Sequence, residues 1–284
     1  MNLIATMPVR NEAWILGASL RAALKWVDSV VVMDHCSTDE TSDIIEQVAN
    51  EHPGRVARLY QDGSNWSEMA HRQRLLNAAR QRGATHIAIV DADEILTSNL
   101  VGSIRDQIAS LPPGGVIQAG MPAPWRSLDQ YRVDPCIWSN RIDLALAFAD
   151  HPNLCWRATN GYDHHHREPH GARVAFRGYG MNGGVMHLQW ASWRRLTSKH
   201  RFYKLTERLK YPDKSVSEID QMYSLALNEH GLTVQDCPPE WWSGHAELRQ
   251  FIDLDAEPWH ERECAKILKD NPSLAYGLNL FDRA

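Results

Sequence analysis

Thr85-His86-Ile87-Ala88-Ile89-Val90-Asp91-Ala92-Asp93-Glu94 is a run of small and β-branched apolar residues that stops at closely spaced carboxylates. Its first six residues read as a buried strand, since short, continuous apolar segments of this kind suit a sheet covered on both faces. Asp91 and Asp93, one residue apart at the strand's carboxyl end, are costly to bury unpaired. A hard divalent cation removes that cost, because Mg2+ or Mn2+ takes oxygen ligands and commonly bridges carboxylates to phosphate oxygens. An Asp-x-Asp triplet alone is weak evidence for a metal. The segments upstream add the weight.

Asn2 to Met7 reads as a first strand and Glu12 to Trp26 as a helix. Ser29 to Met33 is a second strand, and Ser37-Thr38-Asp39-Glu40 after it fits a capping box with Ser37 as N-cap. The helix it predicts carries Ile44, Ile45, Val48 and Ala49 on its buried face. Arg55 to Tyr60 is a third strand and Glu68 to Gln81 a helix. Beyond the Asp-x-Asp, Asn99 to Ala109 reads as a helix and Val116 to Met121 as a fifth strand. This alternation predicts an α/β fold, a mostly parallel sheet with helices on both faces. Ligands of such sheets bind at the carboxyl ends of the strands. Pro8, Asp34 and Asp91 all fall at such ends, which points to one crevice.

The pattern weakens after Pro122. Residues 122–180 are rich in Pro, Gly, His and Trp, as substrate loops often are. Val185 to Gln189 reads as a short strand, and the chain is then largely helical over Ser192 to Lys210, Ser215 to Glu229 and Glu257 to Lys269. There is no internal repeat and no low-complexity tract.

Composition sets bounds without choosing a function. The 284 residues are enough for a full core. A formal net charge of −5 argues against broad electrostatic capture of nucleic acid. Five cysteines, never spaced Cys-x-x-Cys, suggest free thiols in a reducing compartment. The apolar N-terminal stretch ends at Pro8 and Arg10, too short for a signal peptide or a membrane span, so a cytoplasmic protein is expected. Eleven tryptophans suit a core, and also stacking on sugar rings or bases.

Met7-Pro8-Val9-Arg10-Asn11-Glu12, Val32-Met33-Asp34-His35-Cys36-Ser37-Thr38-Asp39-Glu40-Thr41 and Val90-Asp91-Ala92-Asp93-Glu94 together resemble the glycosyltransferases of family 2. The resemblance covers about residues 1–100 well and about 180–195 loosely. It implies a GT-A fold (Rossmann-like), a nucleotide-diphosphate sugar as donor, with UDP the expected nucleotide, and Mn2+ or Mg2+ as cofactor. The domains expected on that basis are a catalytic domain at 1–190 and a helical C-terminal extension at 191–284. The first divides into a nucleotide-binding half at 1–120 and an acceptor-side half at 121–190.

The resemblance also implies site residues. Asp34 would accept a hydrogen bond from the nucleotide base, against the plainer reading of a turn residue. Pro8 and Arg10 would form a lip around base and ribose, Asn11 would join this nucleotide site or cap the first helix, and Glu12 would hold the nucleotide or its loop. Ser37 is either a nucleotide contact or only a cap. Arg72 would hold the Asp91 loop or reach the diphosphate; Arg74 and Arg80 are better candidates for solvated arginines. Asp91 and Ala92 would line the donor, and Asp91, Asp93 and a late strand histidine, His187, would ligate the metal. An imidazole shifts the expected ion toward Mn2+.

Asp163-His164-His165-His166-Arg167-Glu168-Pro169-His170 invites a zinc reading, but adjacent histidines rarely share one ion and no partner pair completes a tetrahedral site. An acceptor-side loop fits better. An inverting transfer needs a base for the acceptor hydroxyl, and Asp163 and Glu168 are the candidates, with His166 a further one. Two other function classes stay open. A sugar-phosphate nucleotidyltransferase would be expected to open with a Gly-rich loop, which Met7-Pro8-Val9-Arg10-Asn11 lacks. A non-catalytic sugar- or nucleic-acid-binding protein would not need Asp91, Asp93 and His187 together. The acceptor is open: glycan, small molecule, protein or modified nucleic acid. The basic run from Arg194 to Lys210 is either a solvated face or a contact for an anionic acceptor.

Overall fold

The computed structural model describes residues 1–60, 67–134, 141–157, 167–180 and 182–280. In chain order the elements are β1 (Leu3–Val9), α1 (Ala13–Ala23), β2 (Ser29–Asp34), α2 (Thr41–Glu51), β3 (Val56–Tyr60), α3 (Glu68–Gln81), β4 (His86–Ile89) and β5 (Glu94–Leu96). Then come α4 (Ser98–Val101), α5 (Ile104–Ala109), β6 (Gly115–Met121), β7 (Gln130–Arg132), β8 (Arg141–Ala149), β9 (Arg173–Arg177) and β10 (Val185–His187). The last are α6 (Trp193–Lys210), α7 (Val216–Ser224), β11 (Val234–Asp236), α8 (Pro239–Trp242) and α9 (Trp259–Asp270), with short 3-10 turns between them.

The main sheet has the order β3-β2-β1-β4-β8-β6-β9. β3, β2, β1 and β4 are mutually parallel, β8 runs against both β4 and β6, and β9 is parallel to β6. Only β8 is reversed, so the mostly parallel sheet read from the sequence is the one formed. Side-chain alternation along β1 explains why both faces are covered. Leu3, Ala5, Met7 and Val9 pack with Leu16 and Leu20 of α1, whereas Ile4 packs with Leu75, Leu76 and Ala79 of α3. Burying each such leucine or isoleucine contributes about 1.5–3 kcal/mol.

The chain forms two compact units: Met1–Pro122 with Arg141–His187 and Pro238–Asp253, and Ala123–Asn140 with Leu188–Cys237 and Leu254–Ala284. The described residues 123–134 group with the C-terminal helices. The reason is pairing over a long sequence distance: β7 pairs antiparallel with β11, Tyr131 opposite Gln235. Residues 238–253 return to the first unit, where the Gly244 N–H donates to Ser98 Oγ, the Asp253 N–H donates to the Trp14 carbonyl, and Arg21 lies 4.0 Å over the Phe251 ring.

Within the second unit, several cations of the basic run of α6 are engaged by partners, while Arg194 and Lys210 remain exposed. Arg194 pairs with Glu261, and Arg201, Lys204 and Arg208 donate to the carbonyls of Leu280, Asn279 and Tyr276. Lys204 is 1% exposed and also meets Asp220 at 3.1 Å. A buried ammonium needs such partners. No helix among the described residues is long and apolar enough to cross a membrane.

Candidate active site

The Asp-x-Asp segment is a tight turn from β4 into β5. The Glu94 N–H donates to the Asp91 carbonyl at 3.1 Å, and the Asp91 N–H donates to Glu94 Oε2 at 2.9 Å. β5 pairs antiparallel with β10, which places His187 opposite Glu94. That register brings His187 Nε2 to 3.4 Å from Asp93 Oδ2, both side chains largely buried. Upstream of β10, Gly184 forms a bridge with Gly120 of β6. A Cβ on Gly184 would sit 2.1 Å from the Gly120 carbonyl oxygen, so only glycine fits this approach.

Asp91 faces two guanidinium groups. Arg72, on α3 and 7% exposed, donates to its Oδ1 at 3.3 Å and also pairs with Glu68 at 2.9 Å. Arg167 donates to Asp91 Oδ2 at 3.1 Å. Burial by itself would raise the pKa of the Asp91 carboxyl, but Arg72 and Arg167 overcome it and hold the group below its ordinary value. Burial likewise opposes the charge on Arg72, and Asp91 with Glu68 outweighs it. Of the two roles open to Arg72, holding the Asp91 loop is the one its contacts display. Ala92 is buried beneath the turn.

The second cluster joins the ends of β1 and β2. Pro8 lies in β1 opposite Met33, and Arg10 is half-buried just beyond the strand. Asn11 has φ +53°, a left-handed conformation that asparagine tolerates better than most residues. It does not cap the first helix. Its N–H donates to Ser37 Oγ at 2.9 Å and its Oδ1 accepts from the Thr38 N–H at 2.7 Å. The Glu12 N–H donates to Thr41 Oγ1 and the Ala13 N–H to Asp39 Oδ2, while Glu12 Oε2 accepts from Trp14 Nε1. Glu12 thus faces its own helix start. Ser37 is not an N-cap either: α2 begins at Thr41, whose N–H goes to Asp39 Oδ1. The capping box of the sequence is displaced because Ser37 is drawn across to Asn11. Of the face predicted for this helix, Ile45 and Val48 are buried and Ile44 is partly buried.

Asp34 ends β2 and is 2% exposed. Its Oδ1 accepts from the Ser37 N–H at 3.1 Å, and its Oδ2 accepts from Ser42 Oγ at 2.6 Å and Arg58 Nη2 at 2.7 Å. Burial would raise its pKa; the hydrogen bonds from Ser42, Ser37 and Arg58 prevail and lower it. Arg58 stacks 4.1 Å over the ring of Tyr60, which is 63% exposed. Arg58 and Ser42 carry no motif, so their part in the Asp34 turn was invisible in the sequence. Beneath the same turn, His35 and His71 lie with ring centroids 4.8 Å apart. Burial, with His35 and Arg74 nearby, pushes the His71 pKa down to about 4.

On the acceptor side, Glu168 is half-buried next to Arg167. Asp163 and His166 lie outside the described residues, as do His164 and His165 of the zinc reading. Among the described residues no group of three or more His, Cys, Asp or Glu side chains is placed to hold a metal ion. Of the three residues expected to ligate a metal, Asp93 and His187 lie 3.4 Å apart, and Asp91 beside them is engaged by Arg72 and Arg167.

A mostly parallel sheet carrying an Asp-x-Asp turn, a histidine strand and a rim of crossed loops at its carboxyl edge defines a GT-A nucleotide-sugar transferase. The chain belongs to glycosyl transferase family 2, whose model matches residues 5–157, more than half of its length. It is accordingly a glycosyltransferase that uses a nucleotide-sugar donor. Residues 1–349 of TarS from S. aureus are 14% identical, the match covering 96% of this chain and 90% of that one with a TM-score of 0.45. Glucosyl-3-phosphoglycerate synthase from Mycobacterium tuberculosis, solved with Mn2+, uridine-diphosphate and phosphoglyceric acid, is 15% identical over 42% of this chain and 43% of that one, with a TM-score of 0.32. No curated protein matches the chain.

Proposed function

We propose that this glycosyltransferase takes a UDP-linked sugar, works with a divalent cation held by Asp93 and His187, and transfers the sugar with inversion to an acceptor hydroxyl. The observation that carries this reading is the 3.4 Å approach of His187 Nε2 to Asp93 Oδ2 beside the arginine-held Asp91. A mixed oxygen and nitrogen pair suits Mn2+ at least as well as Mg2+. When bound, such a cation offsets the charge that develops on the departing diphosphate.

The chain's own residues divide the remaining work. Arg72 and Arg167 keep Asp91 ionised and fixed in direction, so that it can accept from a donor hydroxyl without reorganising. Asp34 accepts from both the N–H and the side chain of Ser37. In the proposed complex the imide N–H of uracil would donate to this carboxylate in exchange for, or beside, the Ser37 hydroxyl. Pro8, Arg10 and the Asn11–Ser37–Thr38 crossing would form the rim on which base and ribose rest. In the transfer the acceptor oxygen bonds to C1 of the sugar, the bond from C1 to the phosphate oxygen breaks, and the hydroxyl proton passes to a carboxylate. Glu168 and Asp163 are the proposed bases. A cytoplasmic setting suits five cysteines that are never spaced Cys-x-x-Cys.

Calorimetric titration of UDP, with and without Mn2+, tests the reading on the wild-type protein. UDP binding that strengthens at least tenfold with Mn2+, and loses that gain in Asp93→Ala, is the expected result. Equal UDP affinity with and without the ion would refute the metal assignment. Mass spectrometry of nucleotide-sugar mixtures incubated with the enzyme would then identify the donor by its metal-dependent consumption.

A further inference from the structure

Arg167 is the most heavily used side chain of the site, and no motif marks it. β4 and β8 pair through His86 with Ala149, Ile87 with Phe148 and Ala88 with Ala147, and the ladder stops there. Past that point the Ile89 and Ala145 carbonyls have lost their partners across this pair of strands. Arg167 enters the split: its Nε donates to the Ala145 carbonyl at 2.9 Å and its Nη2 to the Ile89 carbonyl at 2.7 Å. Its Nη1 donates to Glu94 Oε1 at 2.7 Å and Asp91 Oδ2 at 3.1 Å, and its Nη2 also donates to Glu94 Oε2. These contacts use all five guanidinium N–H groups.

This arrangement allows little movement. Glu94 is 1% exposed, and withdrawing Arg167 would strand its carboxylate along with two buried carbonyls. Burial opposes the charge on Arg167, but Glu94 and Asp91 more than offset it and raise its pKa further above the ordinary arginine value. A guanidinium fixed at four points presents the fifth contact, to Asp91, in one direction. Asp91 is 30% exposed and is the member of this cluster open to a ligand. The residue after Arg167 is Glu168, so the same anchor also sets where the acceptor-side segment leaves the sheet.

We propose that Arg167 is a positioning residue for donor binding: wedged between β4 and β8, it fixes the Asp91 carboxylate in the direction in which the nucleotide diphosphate sugar meets it. This rests on the proposed reading of the site as one that binds UDP with a divalent cation.

The test is a double-mutant cycle on the full-length protein, with UDP plus Mn2+ as the probe, read by calorimetry and by thermal melting. Arg167→Lys keeps a charge but cannot reach all five acceptors. It should fold, and should weaken UDP binding at least tenfold. Asp91→Asn alone should cost a similar factor, and adding it to Arg167→Lys should cost less than a further threefold, because Arg167 acts through Asp91. If Arg167→Lys does not fold, the charge-neutral pair Arg167→Gln with Glu94→Gln replaces it, with the same expectations. A variant that melts earlier but binds UDP as the wild type does would overturn the proposal, leaving a purely structural arginine. Penalties that multiply in the double variant would overturn it too. Wild-type protein that fails to bind UDP at all would instead remove the underlying reading of the site, and this inference with it.

Discussion

Replacing Asp34 with alanine separates two roles that a titration of UDP alone would confuse. The carboxylate is 2% exposed and accepts from the Ser37 N–H, Ser42 Oγ and Arg58 Nη2. Removing one member of a fully buried ion pair costs about 3–5 kcal/mol. The Arg58 side chain keeps 21% of its exposure, so water compensates part of that loss and about 3 kcal/mol is expected. For a protein of this size each kcal/mol lowers Tm by about 2–4 °C, which gives a shift of about 6–12 °C. Asp34→Asn, which preserves shape and loses the charge, should fall between alanine and wild type. If the same carboxylate also receives the base, both variants should weaken UDP binding about tenfold or more, since a hydrogen bond to a charged group is worth about 1.5–3 kcal/mol. Differential scanning fluorimetry and calorimetry on one preparation give both numbers. A Tm within about 2 °C of wild type would refute the account of the ion pair, whatever the affinity. A large melting shift with unchanged UDP affinity would confine Asp34 to holding its turn.

Three further outcomes follow from the site. Asp93→Asn should abolish the Mn2+-dependent part of UDP binding and lower turnover by more than about a hundredfold while changing Tm little, as measured by calorimetry and a coupled UDP-release assay; near-normal turnover would remove Asp93 from the metal site. His187→Ala should raise the Mn2+ concentration needed for half-maximal activity, and excess Mn2+ should restore part of the rate; a lower Tm with the same Mn2+ requirement would mark a merely packed histidine. His71, 3% exposed with its pKa pushed down to about 4, binds fewer protons when folded than the unfolded chain does at about pH 6.5 and below. Its contribution to stability is therefore complete above about pH 6.5 and is lost as the pH falls toward about 4, at most about 3 kcal/mol. Urea melts of wild type and His71→Leu across that range should show a steeper loss in the wild type; parallel curves would contradict the burial argument.

Much of the first unit was legible as a linear pattern. The β-branched runs and the 3.6-residue periodicity between them are local signals, and they gave the parallel sheet, its helices and the strand ends where Asp34 and Asp91 sit. The Asp-x-Asp segment and the His187 strand were placed for the same reason, each being a short run of consecutive residues. The capping box at Ser37 was equally local, and it failed because a hydroxyl that can cap its own helix can also accept from Asn11, 26 residues earlier. The basic run of α6 looked like a surface because charge is visible in a sequence and its partners are not: the carbonyls of Tyr276, Asn279 and Leu280 close on Arg208, Lys204 and Arg201 only in the folded unit. Arg167 is the clearest case. Its five acceptors come from β4, β8 and the Asp91–Glu94 turn, and two of them are backbone carbonyls that any residue supplies. The sequence by itself determined β1 to β4, β6 and β10, and the carboxylates that follow β2 and β4, but not the reversed β8 at the middle of the sheet. Only the tertiary structure decided which cations meet those carboxylates, because a buried charge takes its partner from whatever the packing brings within about 3 Å, at any distance along the chain.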